Sequence, residues 1–132
     1  MFFLQKSLCF IICLLWFSLG FAGINNPLII NFSKTQYGAA NKNWSISEDE
    51  HGILYFGNDI GLLEFDGIEW KLNKLPKAEV VRSVYAVSNN EIYTGGYEEF
   101  GKWSRQPDGE LTYTSLSKEL PTDNWQNDDI WR

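Results

Sequence analysis

Two stretches of this chain repeat each other about forty residues apart. WSISEDEHGILYFGNDIGLLEFDGIEW spans Trp44 to Trp70, and VYAVSNNEIYTGGYEEFGKWSRQPDGELTY spans Val84 to Tyr113. Their lead aromatics, Trp44 and Tyr85, lie 41 positions apart. Their Asp-Gly pairs, Asp66-Gly67 and Asp108-Gly109, lie 42 apart, and Tyr55 and Tyr93 lie 38 apart. Each stretch holds four short strand-like runs. Units of ~40–50 residues built from four strands are the signature of β-propeller blades. The expected fold class is therefore all-β: an incomplete propeller with two four-stranded antiparallel blades and the start of a third.

Residues 1–22 stand outside that plan. Lys6 precedes an apolar run from Leu8 to Leu19, and Gly20-Phe21-Ala22 closes it. A charged start, an apolar stretch of about a dozen residues and a small-x-small ending describe a secretory signal. The run is shorter than the ~20 residues that span a bilayer. Cys9 and Cys13 both lie inside it, so the exported part has no cysteine for a disulfide or a thiolate metal site. Loss of Lys6 takes the net charge from −6 to −7. A mildly acidic surface argues against direct binding of nucleic acid or anionic membrane. No second apolar run of spanning length follows.

Residues 23–43 form a lead-in. Pro27 to Phe32 has the composition of an additional strand, and SKTQYGAANKN reads as loop. The first blade, 44–79, opens with Trp44, Ile46 and Glu48 alternating with Ser45, Ser47 and Asp49. A turn at Glu48–Gly52 leads to the apolar run Ile53–Phe56, typical of a strand covered on both faces. Gly57–Gly61 turns, Leu62–Phe65 is the third strand, Asp66-Gly67 signals a two-residue hairpin, and Ile68–Leu72 is the fourth. The second blade, 80–120, repeats this with strands at Val80–Val87, Ile92–Thr94, Phe100–Ser104 and Leu111–Thr114. Residues 121–132 read as a polar linker and the first strand of a third blade. Trp131 stands 46 after Tyr85 and matches it and Trp44. An aromatic content of 16% suits this plan, because flat side chains fill the wedge between stacked sheets. Trp44, Trp70, Trp103 and Trp131 are expected in blade cores, with Trp125 in the linker as the exception.

The ordered motifs W-x-I-x-x-D-x-x-G, Y-F-G, G-L-x-x-[FY]-D-G and Y-E-E-F-G resemble the blades of the bacterial two-component regulator propeller. The likeness covers about Asn43 to Arg132. VRSVYAVSNNEIYTGGYEEFGKW followed by DGELTYTSL is similar to one subgroup. There the propeller precedes a triple-tyrosine domain, a membrane helix and a cytoplasmic output, a LuxR-type helix-turn-helix or a hybrid histidine kinase. The resemblance implies a periplasm-facing, ligand-sensing segment of a transcriptional regulator. Its partners would be a small extracellular, glycan-like ligand and the missing blades and downstream domains of the same protein. It implies the N-terminal piece of such a regulator, exported, with the full-length form held in the inner membrane.

In a four-strand meander, alternate turns fall on opposite ends. Polar loops held by a rigid sheet are a usual place for binding. Asn58, Asp59, Arg82, Tyr97, Glu98 and Glu99 gather at one end and are the candidate ligand-binding rim. The framework alternative has Gly95-Gly96 as a tight turn, Glu98 or Glu99 capping backbone N–H groups, and Arg82 paired with a neighbouring acid. His51 is the single histidine and lies at the opposite end. Zinc would need carboxylates alone beside it, and Glu48-Asp49-Glu50 lacks calcium-loop spacing, so no metal or cofactor is expected. No GxSxG or phosphate-binding glycine loop appears, so no catalytic residue is assigned. The competing classes are a secreted, lyase-like propeller enzyme and a protein-binding repeat scaffold. Two units and a fragment also lead to the expectation of a bare sheet face on each side.

Overall fold

The computed structural model describes residues 27–77, 80–121 and 129–131. The expected export signal with Cys9 and Cys13, the linker tryptophan Trp125 and Arg132 lie outside the described residues. Pro27–Asn31 belongs to a unit separate from the body that begins at Phe32.

Among its described residues the body is all-β apart from one short helix and one 3₁₀ turn. Helix α1 (Lys34–Tyr37) is closed by Gly38, whose φ of 62° is the left-handed conformation that ends helices. Strands β1 (Asn43–Glu48), β2 (Leu54–Asn58), β3 (Gly61–Phe65) and β4 (Trp70–Asn73) form the first antiparallel sheet in sequence order. Strands β5 (Ser83–Ser88), β6 (Glu91–Gly95), β7 (Phe100–Arg105) and β8 (Leu111–Ser115) form the second in the same way. Local turn chemistry sets the meander. Asp49 Oδ1 accepts from the backbone N–H groups of His51 and Ile53, which closes the β1–β2 turn.

The two sheets share one buried cluster. Tyr55 and Leu62 of the first sheet meet Ala86, Ile92 and Trp103 of the second, with Leu75 and Val81 from the connection between them. Ser47 Oγ accepts from Ala86 N at 2.9 Å, tying β1 to β5. Several polar atoms at this contact are paired. Trp103 Nε1 donates to Thr94 Oγ1 at 2.9 Å. Arg105 reaches back from the end of β7. It donates to Glu64 Oε1 at 2.6 Å and the Tyr55 hydroxyl at 3.0 Å in the first sheet. It also donates to Asn89 Oδ1 at 2.6 Å and Gly109 O at 2.9 Å in its own. Burial, together with the Glu64 and Asp49 carboxylates, pushes the Tyr55 hydroxyl above its usual range. Burial alone would lower the Arg105 value; the Glu64 carboxylate outweighs it and the net shift is upward.

Several expectations change. Pro27–Phe32 is not a strand. Ile68 is an exposed turn residue rather than a strand residue, because the Asp66 carboxylate takes the N–H groups of both Ile68 and Glu69. That leaves four residues, not two, between the paired Phe65 and Trp70. β5 begins at Ser83, not Val80, because Val81 N–H is bonded to Asn58 O and Arg82 N–H to Gly95 O.

The alignment of the two units also shifts. Pairing across β2–β3 and β6–β7 equates Tyr55 with Tyr93 and Gly57 with Gly95. Pairing onto the first strands then equates Ser45 with Ser83 and Trp44 with Arg82, not with Tyr85. A Cβ on Gly57 would lie 2.7 Å from Ser45 Oγ and 2.7 Å from Val81 O. A Cβ on Gly95 would lie 2.6 Å from Ser83 Oγ and 2.7 Å from Ile130 O. Each glycine is therefore the place where the chain leading to the next position crosses the sheet closely. Val81 and Ile130 are equivalent, so Trp131 matches Arg82 and Trp44.

The expectation of a bare face on both sides fails on one side. The outer face of the first sheet is covered by the lead-in. Phe32 packs edge-on against Phe65 and Trp70, at 5.1 and 5.2 Å between centroids, and Tyr37 meets Trp70 at 5.8 Å. Phe65 and Trp70 stack at 4.2 Å. The second sheet has no such cover among the described residues. An open groove of about 830 Å³ runs along it and the first strands, lined mainly by Tyr85, Tyr93, Phe100, Ile130 and Trp131.

Candidate functional site

The β2–β3 turn, the chain leading into β5 and the Asp129–Trp131 segment meet at one end of the sheets. At their centre is Arg82. Its guanidinium lies 3.9 Å from the centre of the Trp44 ring and 5.6 Å from that of Trp131. The two indoles stand at 71° to each other, 5.8 Å apart. Two near-perpendicular rings around one cation form a corner in which each ring offers electron density to the charge. Lys42 Nζ takes up a further position 4.4 Å from the Trp44 ring centre.

Acids hold the corner from outside. Asp59 Oδ1 accepts from Trp44 Nε1 at 2.7 Å and fixes that ring. Asp129 Oδ1 faces Arg82 Nε at 3.4 Å, a long contact between partly exposed side chains. Arg82 Nη1 is buried and makes no hydrogen bond among the described residues. Tyr97 pairs with Asp129 through an isolated backbone bridge, and Ile130 N–H donates to Gly96 O at 2.8 Å. Tyr97 and Trp131 are both about half exposed, at 51% and 50%, so an aromatic surface faces solvent beside the cation.

Of the six rim residues read from the sequence, Asp59, Arg82 and Tyr97 come together here, linked through Trp44 and Asp129. Glu98 adjoins Tyr97 in the turn and holds a φ of 51°, which costs a residue with a Cβ on the order of 1 kcal/mol or more. Glu99 departs. Its carboxylate accepts from the Tyr113 hydroxyl at 2.8 Å and lines a small cavity of about 110 Å³ with Leu75, Lys77 and Lys118.

Asn58 is the clearest departure. It is fully buried. Its Oδ1 accepts from Ala40 N and Ile60 N, and its Nδ2 donates to Ala40 O, Lys42 O and Asn43 Oδ1. It fastens the lead-in to the first sheet and offers nothing to solvent. A buried side chain is spared the cost of unmet polarity only when its groups are paired in this way. Lys42, Trp44, Asp129 and Trp131 were not among the six. For two of them the sequence signal is positional: Lys42 and Trp44 flank Asn43, the first residue of β1.

Asp49, Glu50 and His51 bring two carboxylate oxygens and an imidazole nitrogen within 4.8 Å of one another at the opposite end. Asp49 is committed to the turn and to the Tyr55 hydroxyl, at 3.1 Å, and Glu50 accepts from Asn89 N. These bonds account for the cluster. No helix among the described residues is long and apolar enough to cross a membrane. Neither a family model, a curated protein nor a solved structure matches this chain.

Proposed function

We propose that this chain is the opening portion of an exported β-propeller sensor, with ligand contacts at the Asp59–Arg82–Tyr97 end. The observation that carries the reading is the repeated crossing at Gly57 and Gly95. Val81 N–H bonds to Asn58 O on the way into the second sheet. Ile130 N–H bonds to Gly96 O, and Ser83 Oγ donates to Ile130 O, beyond the second sheet. The same step is taken twice, which supports a third unit beginning near Trp131. The open groove on the second sheet has the size and apolar lining to receive another sheet.

In this reading the segment is not itself an enzyme, binds no nucleic acid directly, and passes occupancy of the rim to downstream domains across the inner membrane. The half-exposed Trp131 and Tyr97 beside Arg82 and Asp129 suit a small polar ligand with a flat face, such as a glycan. Arg82→Ala and Tyr97→Ala in the product carrying the downstream domains test this. Loss of ligand-dependent output with the melting temperature retained is the expected result. Unchanged output, or loss of output only through unfolding, would sink the binding role.

A further inference from the structure

Three stretches of chain that follow strand ends meet around one small cavity. β4 ends at Asn73, and Pro76, which cannot donate to a sheet, follows in the connection to β5. The β6–β7 turn is closed by Gly96 N–H on Glu99 O at 2.8 Å. β8 ends at Ser115, and Leu116 N–H on Phe100 O at 2.9 Å ties the 3₁₀ turn Ser117–Glu119 to β7. Between them lies a space of about 110 Å³ whose polar lining is Lys77, Glu99, Tyr113, Ser115 and Lys118.

These polar groups are unevenly matched. Glu99 Oε1 accepts from the Tyr113 hydroxyl at 2.8 Å, and the Tyr113 ring lies 5.0 Å from that of Trp103. That bond fixes the carboxylate at the wall and leaves its second oxygen without a hydrogen bond among the described residues. Ser115 Oγ and Ser117 Oγ share one hydrogen bond at 3.1 Å, so one hydroxyl proton of the pair stays available. Lys77 and Lys118 come from different elements, and neither joins an ion pair among the described residues. Two ammonium groups and one carboxylate give the cavity an excess of one positive charge. Like charges around one small space repel unless an anion comes between them. The surplus is local, in a chain whose net charge is −6. The volume is well below the ~300 Å³ at which sites for drug-sized ligands begin, so the cavity suits only a few non-hydrogen atoms.

We propose that this cavity binds a small α-hydroxy monocarboxylate. The ligand's carboxylate lies between Lys77 and Lys118, as charge-assisted hydrogen bonds favour, with the free serine hydroxyl as a further donor. Its own hydroxyl donates to Glu99 Oε2. One negative charge balances the excess. A dianion would be repelled by Glu99, and a neutral sugar would leave both lysines unmatched. The site lies apart from the Arg82 corner and does not depend on further units following. The β6–β7 turn presents Tyr97 to that corner and Glu99 to this cavity.

Titration of the protein with sodium lactate at constant ionic strength, followed by amide NMR, tests the assignment. Saturable shifts are expected at Lys77, Glu99, Ser115 and Lys118. Acetate should bind about tenfold more weakly, as expected for the loss of one hydrogen bond to a charged group. Lys77→Gln and Lys118→Gln change exposed positions that the fold does not need, and each should weaken lactate about tenfold. Glu99→Gln should erase the preference for lactate over acetate. Shifts that rise without saturating, or equal saturation by lactate, acetate and sodium sulfate, would reveal only a general positive patch and overturn the assignment. Undiminished lactate binding in both lysine variants, with their spectra still dispersed, would overturn it too.

Discussion

Replacing Arg105 with alanine should separate the two sheets energetically. In the native chain the guanidinium bridges Glu64 and Tyr55 on the first sheet to Asn89 and Gly109 on the second. The side chains of Arg105 and Glu64 are only 16% and 9% exposed, so water cannot take over for a missing partner. Without Arg105, Glu64 keeps only Asn73 Nδ2, at 3.5 Å, among the described residues. Breaking a buried pair from one side costs about 3–5 kcal/mol, because the remaining charge stays buried and uncompensated. A domain of this size holds about 5–15 kcal/mol in total, so one substitution should remove about a fifth or more. Urea unfolding followed by tryptophan fluorescence and far-UV circular dichroism reads the change. The double variant Glu64→Leu with Arg105→Met should lie within about 1–2 kcal/mol of the native chain, since no charge is then stranded. A loss under about 1 kcal/mol for Arg105→Ala would place the pair with ordinary surface contacts and refute the reasoning. A double variant as unstable as the single one would refute it too.

Gly95→Ala should cost about 1–3 kcal/mol, because the new methyl would lie 2.6 Å from Ser83 Oγ and 2.8 Å from Ile130 Cγ2. Exchange of the Ile130 amide should accelerate with it; a neutral substitution with that amide still protected would contradict the crossing at this position. The Asp66 carboxyl is held below its usual range, first by its hydrogen bond from the Glu69 amide and then by that from Ile68. A depressed carboxyl favours the fold above its unfolded value, about 3.9, and the benefit fades as pH falls through the lower folded value. An NMR titration should therefore place Asp66 below about 3.9, and a midpoint at or above that value would exclude the turn as its cause.

Strands and turns were largely readable because their causes are local. Alternation at Trp44–Asp49 and the asparagines and glycines between runs fix where the chain extends and where it reverses. The misreadings differ in origin. Ile68 has strand composition, but the Asp66 carboxylate captured its N–H. Aromatic character alone pairs Trp44 with Tyr85, whereas cross-strand pairing matches it to Arg82. Asn58 looked like a loop residue open to ligand. The packed lead-in turned it inward, and nothing in its immediate neighbours signals that. Glu99 is drawn away by Tyr113 of β8, fourteen residues further on, whose hydroxyl donates to its carboxylate.

By itself, the sequence determined two four-stranded meanders, since side-chain period and turn preference act within a few residues. It also brought Asp59, Arg82 and Tyr97 to one end, because alternate turns of a meander must fall there. Only the tertiary structure decided that Arg82 sits in a corner of two indoles from distant parts of the chain, Trp44 and Trp131. It alone showed that Arg105 clasps one sheet to the other and that Phe32 and Tyr37 cap the first sheet's outer face. Those contacts join residues that no local rule relates; they form where complementary surfaces and charges meet once the sheets have stacked.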